Sequence, residues 1–191
     1  MMIDNRRSRL PLCRADWISA ATEVLARAGV TGLRVEVLAK RRGVTKGSFY
    51  WHFKDRQALL AAVLEHWKEG RIRDIEKTTA CQPGAASTRL NHLFELYAAK
   101  RNRKGMAIEL AIRDWARYDA KAAAVVEAVD LHRLERARQL FVATGLSEAE
   151  AKSRSLLIYA CSFGLSLMHV DSFDGHLPQL KQRIAERIIA A

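Results

Sequence analysis

The residues best suited to chemistry lie in GVTKGSFYWHF, Gly43 to Phe53. There Phe49, Tyr50, Trp51, His52 and Phe53 run consecutively between the basic stretch Lys40-Arg41-Arg42 and Lys54. A phenol, an imidazole and an ammonium are all donors to phosphate oxygens. Phe49 and Phe53, four residues apart, share one helix face and suit burial instead. Candidate catalytic groups elsewhere do not converge. Cys161 and His169 stand eight apart on one expected helix, too distant for a thiolate pair. Asp171 follows His169, but no hydroxyl nucleophile is identifiable as a partner. Glu148 and Glu150 read as a solvated helix start. His66, His92, His132 and His176 lack HxxxH or CxxC spacing, and there is no glycine loop to cradle phosphate. No catalytic residue, metal site or cofactor is therefore expected.

The charge distribution says where an anionic partner would bind. The chain has 191 residues with 32 Lys and Arg against 21 Asp and Glu, a net charge of +11. Residues 1–54 hold 11 of those cations and 4 of the anions, a balance of +7; the other 137 residues carry only +4. An excess of this kind suits nucleic acid or an acidic membrane surface, and its clustering puts the surface near the N-terminus. Cys13, Cys81 and Cys161 are scattered and odd in number, which fits a reducing cytoplasm rather than a disulfide framework. The first residues contain no apolar run suited to a signal peptide. The segment Ser155 to Val170 contains no charged residue. Its 16 residues fall short of the ~20 needed to span a bilayer, so a largely buried bundle helix is expected, with no membrane partner.

These groups must be positioned by helices, since Ala, Leu, Glu, Arg and Lys dominate and only three prolines occur. Trp17, Ala21, Val24, Leu25 and Ala28 stripe a helix from about Arg14 to Ala28, stopped by Gly29. A short helix is expected from about Arg34 to Arg42, ended by Gly43. A third runs from an N-cap at Thr45 to about Trp51. Asp55 should cap a long helix to about Thr79. After the break at Pro83-Gly84, the pattern predicts helices from about Leu90 through Tyr97, from Met106 to Tyr118 and from Lys121 to Thr144. Two more run from Ser147 to about Asp171 and from His176 to Ala190, the first opened by Ser147 with Glu150 as a capping box. No strand alternation and no internal repeat is present. The fold class is all-α, with about nine helices.

Two short helices joined by a glycine turn form a helix-turn-helix, whose second helix lies in the DNA major groove. The stretch from Gly29 to Trp67 resembles the N-terminal domain of the TetR family of transcriptional regulators. The resemblance is carried by Gly29, Leu33, Leu38-Ala39, Gly43-Val44, the run Lys46 to Lys54, and Leu59-Leu60. It covers about the first third of the chain. The family usually has threonine or serine where this chain has Arg34, which preserves a phosphate contact but not a cap. The resemblance implies a DNA-binding domain over residues 12–54, with its helix-turn-helix at about 34–53. Residues 55–191 would form a helical ligand-binding and dimerisation domain, with 55–79 as the linking helix. The expected DNA-facing residues are Arg34, Thr45, Lys46, Gly47, Ser48, Tyr50, Trp51, His52 and Lys54. Arg6, Arg7 and Arg9 form either a groove-reaching arm or a solubilising tail.

The expected partners are double-stranded DNA with a palindromic operator, a second copy of the chain, and an unknown small, largely apolar effector. Leu177, Leu180, Ile184 and Ile188 stripe the last helix and are expected to line a homodimer seam. Tyr97, Trp115 and Phe163 are the residues chosen for an effector wall. The resulting reading is a repressor released by its effector. The alternatives are a basic helical protein coating DNA without sequence choice and, less favoured, a small helical enzyme. A coat does not require a separate apolar domain of this size.

Overall fold

A computed structural model describes residues 12–80, 85–98, 103–170 and 172–190. Among them every regular element is helical. The order is α1 (Arg14–Ala28), a 3-10 turn (Val30–Gly32), α2 (Val35–Arg42), α3 (Lys46–Tyr50) and α4 (Arg56–Thr79). There follow α5 (Ala86–Ala98), α6 (Arg103–Ala116), α7 (Ala120–Ala143), α8 (Glu148–Leu167) and α9 (Leu177–Ile189). The all-α architecture is the expected one. Arg6, Arg7, Arg9 and Cys81 lie outside the described residues, as does the side chain of Tyr97.

The helix ends follow local chemistry. Gly29 and Gly43 end α1 and α2 at φ 64° and 67°, a region that glycine enters without a Cβ penalty. Behind Gly43 the Val44 N–H donates to the Ala39 carbonyl at 3.0 Å, closing the turn of the helix-turn-helix. Asp55 accepts from the Ala58 N–H at 2.8 Å, and Ser147 from the Glu150 N–H at 3.3 Å, both as expected of caps. Thr45 occupies the N-cap position of α3 in extended conformation, but its side chain makes no capping hydrogen bond. Arg34, before α2, makes none either. Helix α8 ends at Leu167 because Met168 turns to extended backbone (φ −76°, ψ 144°), four residues before the expected end. Cys161 and His169 therefore do not share a helix.

Two apolar cores hold the helices together. The first gathers Trp17 and Leu25 of α1, Leu38 of α2, Phe49, Phe53 and the Leu59–Trp67 stretch of α4. It then continues into Ile112 and Trp115 of α6 and Ala122, Val126 and Val129 of α7. The expected boundary after residue 54 thus falls inside a shared core. The second core joins α5, α7, α8 and α9 through Leu90, Phe94, Leu140, Phe141, Ile158, Tyr159 and Ile188. Arg154 of α8 donates to the carbonyls of Ile188 and Ala190, covering the C-terminal end of α9. Among the described residues no helix is long and apolar enough to cross a membrane.

Between α6 and α7 lies a buried ion network. Arg133 and Glu109, 2% and 3% exposed, form a bidentate pair at 2.9 and 3.0 Å. Asp130 accepts from Arg133 at 2.9 Å and from Arg113 at 2.8 and 2.6 Å, and Arg113 Nε reaches Glu109 at 3.0 Å. Both guanidiniums lie over the Phe163 ring of α8, at 4.8 and 5.3 Å from its centre. Burying these charges is tolerable because each meets an opposite charge.

Candidate nucleic-acid interface

Five residues are too few for a helix to stand alone, so α3 depends on what lies beneath it. Phe49 is fully buried and Phe53 nearly so. Trp17 of α1 meets the Phe49 ring edge-on at 5.4 Å, and Phe53 stacks on it at 5.4 Å. Arg14 covers Phe53 at 5.0 Å. This aromatic stack is the expected inward face. Phe49 also takes Tyr50 edge-on at 5.2 Å, steadying the ring of a residue that is itself outside the core.

The outward side carries the candidate DNA-facing set. Trp51 is 88% exposed and Tyr50 59%. Arg34, Thr45, Lys46, Gly47 and Lys54 are exposed, and Ser48 and His52 half-buried. A Cβ added at Gly47 would meet only Thr45 Oγ1 at 3.6 Å, ordinary contact. The fold itself does not require glycine there. His52 lies near α1. The Asp16 carboxyl is held below the usual carboxylate range, first by hydrogen bonds from Cys13 and further by Arg42 and His52.

Several residues that organise this surface carried no signal in the sequence pattern. Arg56 at the start of α4 clasps the 3-10 turn, donating to the Leu33 carbonyl at 2.5 Å and to Val30 at 2.9 Å. Arg42, counted only as part of a basic run, donates to the Asp16 carbonyl at 3.0 Å and ties α2 to α1. Glu36 forms an ion pair with Lys46 at 2.9 Å, bridging α2 and α3. Arg41 pairs with Glu23 at 3.6 Å. Such pairs become visible only when helices cross.

The other chosen residues are scattered. Trp115 is buried in the first core, and Phe163 is half-buried against the second. An open groove of about 380 Å³ runs between α6 and α7, lined by Ala116, Val126, Leu131, Leu134, Arg113 and Asp130 among others. On α9, Leu177, Leu180 and Ile184 are partly exposed, whereas Ile188 is only 5% exposed and packs in the chain's own core. That corrects its assignment to a seam between chains, because the stripe of α9 turns inward at its C-terminal end. Helix α8 has instead a row of exposed apolar residues, Leu156, Leu157 and Leu167. Among the described residues no group of three His, Cys, Asp or Glu side chains is placed to hold a metal.

Known proteins share both the segment and the fold. Residues 18–63 match the family model of bacterial regulatory proteins, tetR family. The class D tetracycline repressor of Escherichia coli is 32% identical over 109 residues, 56% of this chain and 50% of that protein. The class A repressor from transposon 1721, also of Escherichia coli, is 46% identical over 48 residues, 25% of this chain and 22% of that one. The matched stretch thus spans half or less of these curated relatives. Among solved structures, reduced NemR of Escherichia coli superposes with a TM-score of 0.76 at 16% identity, covering 93% of this chain and 97% of that one. A transcriptional regulator of Saccharomonospora viridis in complex with choline gives 0.74 at 16% identity, covering 92% and 94%. At such identities the likeness is one of fold. Residues 18–63, which hold the helix-turn-helix, are thus similar to the family model of bacterial regulatory proteins, tetR family, and the described residues share the all-helical fold of these solved structures.

Proposed function

We propose that the chain is a sequence-specific DNA-binding transcriptional regulator: a homodimeric repressor that binds a palindromic operator and leaves it when a small, largely apolar effector binds. The observation that carries this reading is the two-sidedness of α3 and its flank. Phe49 and Phe53 lock the inner side, which leaves Tyr50, Trp51 and Lys54 exposed outside it. Rigidly held donors on a short helix suit the major groove, where the second helix of a helix-turn-helix reads base edges. The clustered positive charge supplies the phosphate attraction.

Dimerisation is supported by the apolar row of α8. Leu156, Leu157 and Leu167 are 61%, 51% and 49% exposed, and Leu177, Leu180 and Ile184 of α9 add partly exposed apolar surface. Apolar rows of this kind mark association surfaces. Effector control is supported by the first core, in which Ile112 and Trp115 of α6 pack together with Trp17 of α1. A ligand that moves α6 would move the DNA-reading helices. The α6–α7 groove has a volume within the range of small-molecule sites. Phe163 lies under the guanidinium of Arg113, a residue of the groove's lining. The ligand must bind the DNA-incompetent state more tightly, because equal affinity for both shifts nothing.

The deciding experiment selects duplexes from a random-sequence library and then maps the DNA flanking the protein's own gene. Enrichment of a palindrome with half-sites about 10–10.5 bp apart, or a multiple of that, supports the reading. Equal binding of all sequences identifies a DNA coat instead. For the effector, apolar compounds that raise the melting temperature should also release the palindrome, with the response weakened by Phe163→Ala.

A further inference from the structure

The ion network between α6 and α7 has two unequal halves. The Glu109–Arg133 half is buried on both sides. Arg113 and Asp130, with side chains 28% and 35% exposed, meet in a bidentate pair at 2.8 and 2.6 Å on the lining of the α6–α7 groove. A charge freed in the buried half would be left without water or partner, whereas one freed in the groove half is taken up by solvent. Each member of the groove half also keeps a partner on its own helix. Arg113 remains with Glu109 of α6 at 3.0 Å, and Asp130 with Arg133 of α7 at 2.9 Å. The Arg113–Asp130 pair can therefore open in a folded chain, with the Glu109–Arg133 pair left as a pivot between the two helices.

Arg113 is placed where such an opening would reach the DNA-reading helices. Ile112 and Trp115, on the same turn of α6, are buried in the core that holds Trp17 and Leu25 of α1. Trp17 in turn meets the Phe49 ring of α3 edge-on. On its other side the Arg113 guanidinium lies over Phe163 of α8, the helix whose exposed leucines form the proposed seam between chains. Packed helices shift between discrete arrangements rather than deform continuously, so a tie that fixes α6 also fixes what is packed on it. We propose that the Arg113–Asp130 pair is a latch: closed, it holds the two DNA-reading domains of a homodimer at the separation the palindrome requires, and open, it lets α6 turn on its pivot so that this separation is lost. Arg113 and Asp130 are then positioning residues for operator binding, remote from the DNA itself. This inference rests on the reading above, in which the free homodimer is the operator-binding form.

The test compares wild type, Asp130→Asn, Asp130→Glu and Arg113→Gln on the selected palindrome and on a duplex with a single half-site, by fluorescence anisotropy with no small molecule added. Sedimentation velocity on the same preparations reads the oligomeric state. Asp130→Asn and Arg113→Gln open the pair from opposite sides, and both leave Glu109 and Arg133 in place. Each should weaken palindrome binding by about 5- to 150-fold, the usual range of coupling between separate sites. Binding to the single half-site should stay at wild-type strength, because one DNA-reading domain needs no partner in register. Asp130→Glu keeps the carboxylate and should restore most of the palindrome affinity. Wild-type palindrome affinity in either opened variant overturns the inference. An equal loss on both duplexes also overturns it, since damage to the fold would then account for the effect. So does a loss accompanied by dissociation into monomers, which would place the pair's effect at the seam. A wild type that enriches no palindrome overturns the regulator reading itself, a result distinct from the other three.

Discussion

Replacing Gly47 by alanine separates what α3 requires for folding from what it requires for DNA. Gly47 is not among the glycines with positive φ, and a Cβ there would meet only Thr45 Oγ1 at 3.6 Å. Nothing in the chain opposes the methyl group. Glycine costs about 0.5–1 kcal/mol relative to alanine within a helix. Gly47→Ala should therefore stabilise the free protein by up to about 1 kcal/mol, which for a chain of this size raises the melting temperature by about 2–4 °C. On DNA the sign should reverse. If the backbone approaches a phosphate or base edge closely at this point, the methyl group displaces it. Loss of one net hydrogen bond of about 1 kcal/mol weakens binding about fivefold per chain. Differential scanning calorimetry and fluorescence anisotropy on the selected duplex read the two effects on the same preparation. A lower melting temperature would refute the packing argument. A higher melting temperature with unchanged affinity would refute the close approach, and the glycine would then be of no consequence to DNA binding.

Other substitutions test the remaining parts. Lys54→Ala should weaken specific and non-specific complexes alike and reduce the salt slope by about 0.9, read from anisotropy titrations between low and moderate salt; wild-type binding would remove Lys54 from the interface. Leu156→Glu with Leu157→Glu places charge in the exposed row of α8 and should yield folded monomers by sedimentation velocity, an intact dimer arguing against this seam. Ile184→Glu with Ile188→Glu would be the poorer test, since Ile188 is buried in its own chain. Glu109→Gln leaves Arg133 short of its buried partner and should cost about 3–5 kcal/mol, or roughly 6–20 °C in melting temperature; an unchanged melt would show the network contributes little. Glu135 is lowered to about 2 by hydrogen bonds from Arg138 and Gln139. Its contribution to stability is complete above its ordinary value of 4.5 and is lost as pH falls from there towards 2. Glu135→Gln should flatten the acid limb of a pH–stability curve in that window.

The legible features were those written in short-range spacing. Phe49 and Phe53, four apart, announce one buried face, and the structure buries both. Gly29, Gly43, Asp55 and Ser147 mark helix ends that local hydrogen bonding enforces wherever the helices go. Less legible was Ile188, which continues the stripe of Leu177, Leu180 and Ile184 at helical spacing. Periodicity reports that a face is apolar but not whether its cover comes from the same chain or another. The end of α8 was misjudged for a similar reason: the uncharged run continues past Leu167, but composition does not say where the backbone turns away.

By itself the sequence determined the all-helical class, the helix-turn-helix and its inward aromatics, because propensity, capping and i,i+4 spacing act within a few residues of chain. It also placed most of the excess positive charge near the N-terminus, since charge balance along the chain is a property of composition. Only the tertiary structure decided that α1 packs on α6 and shares its core, that Glu36 meets Lys46, and that Glu109, Arg113, Asp130 and Arg133 form one buried network. The α1–α6 packing, the Glu36–Lys46 pair and the Arg133–Glu109 and Arg113–Asp130 pairs each join different helices. Their partners are chosen by how apolar faces are covered and how buried charges are neutralised in three dimensions, which no periodicity along one helix can state.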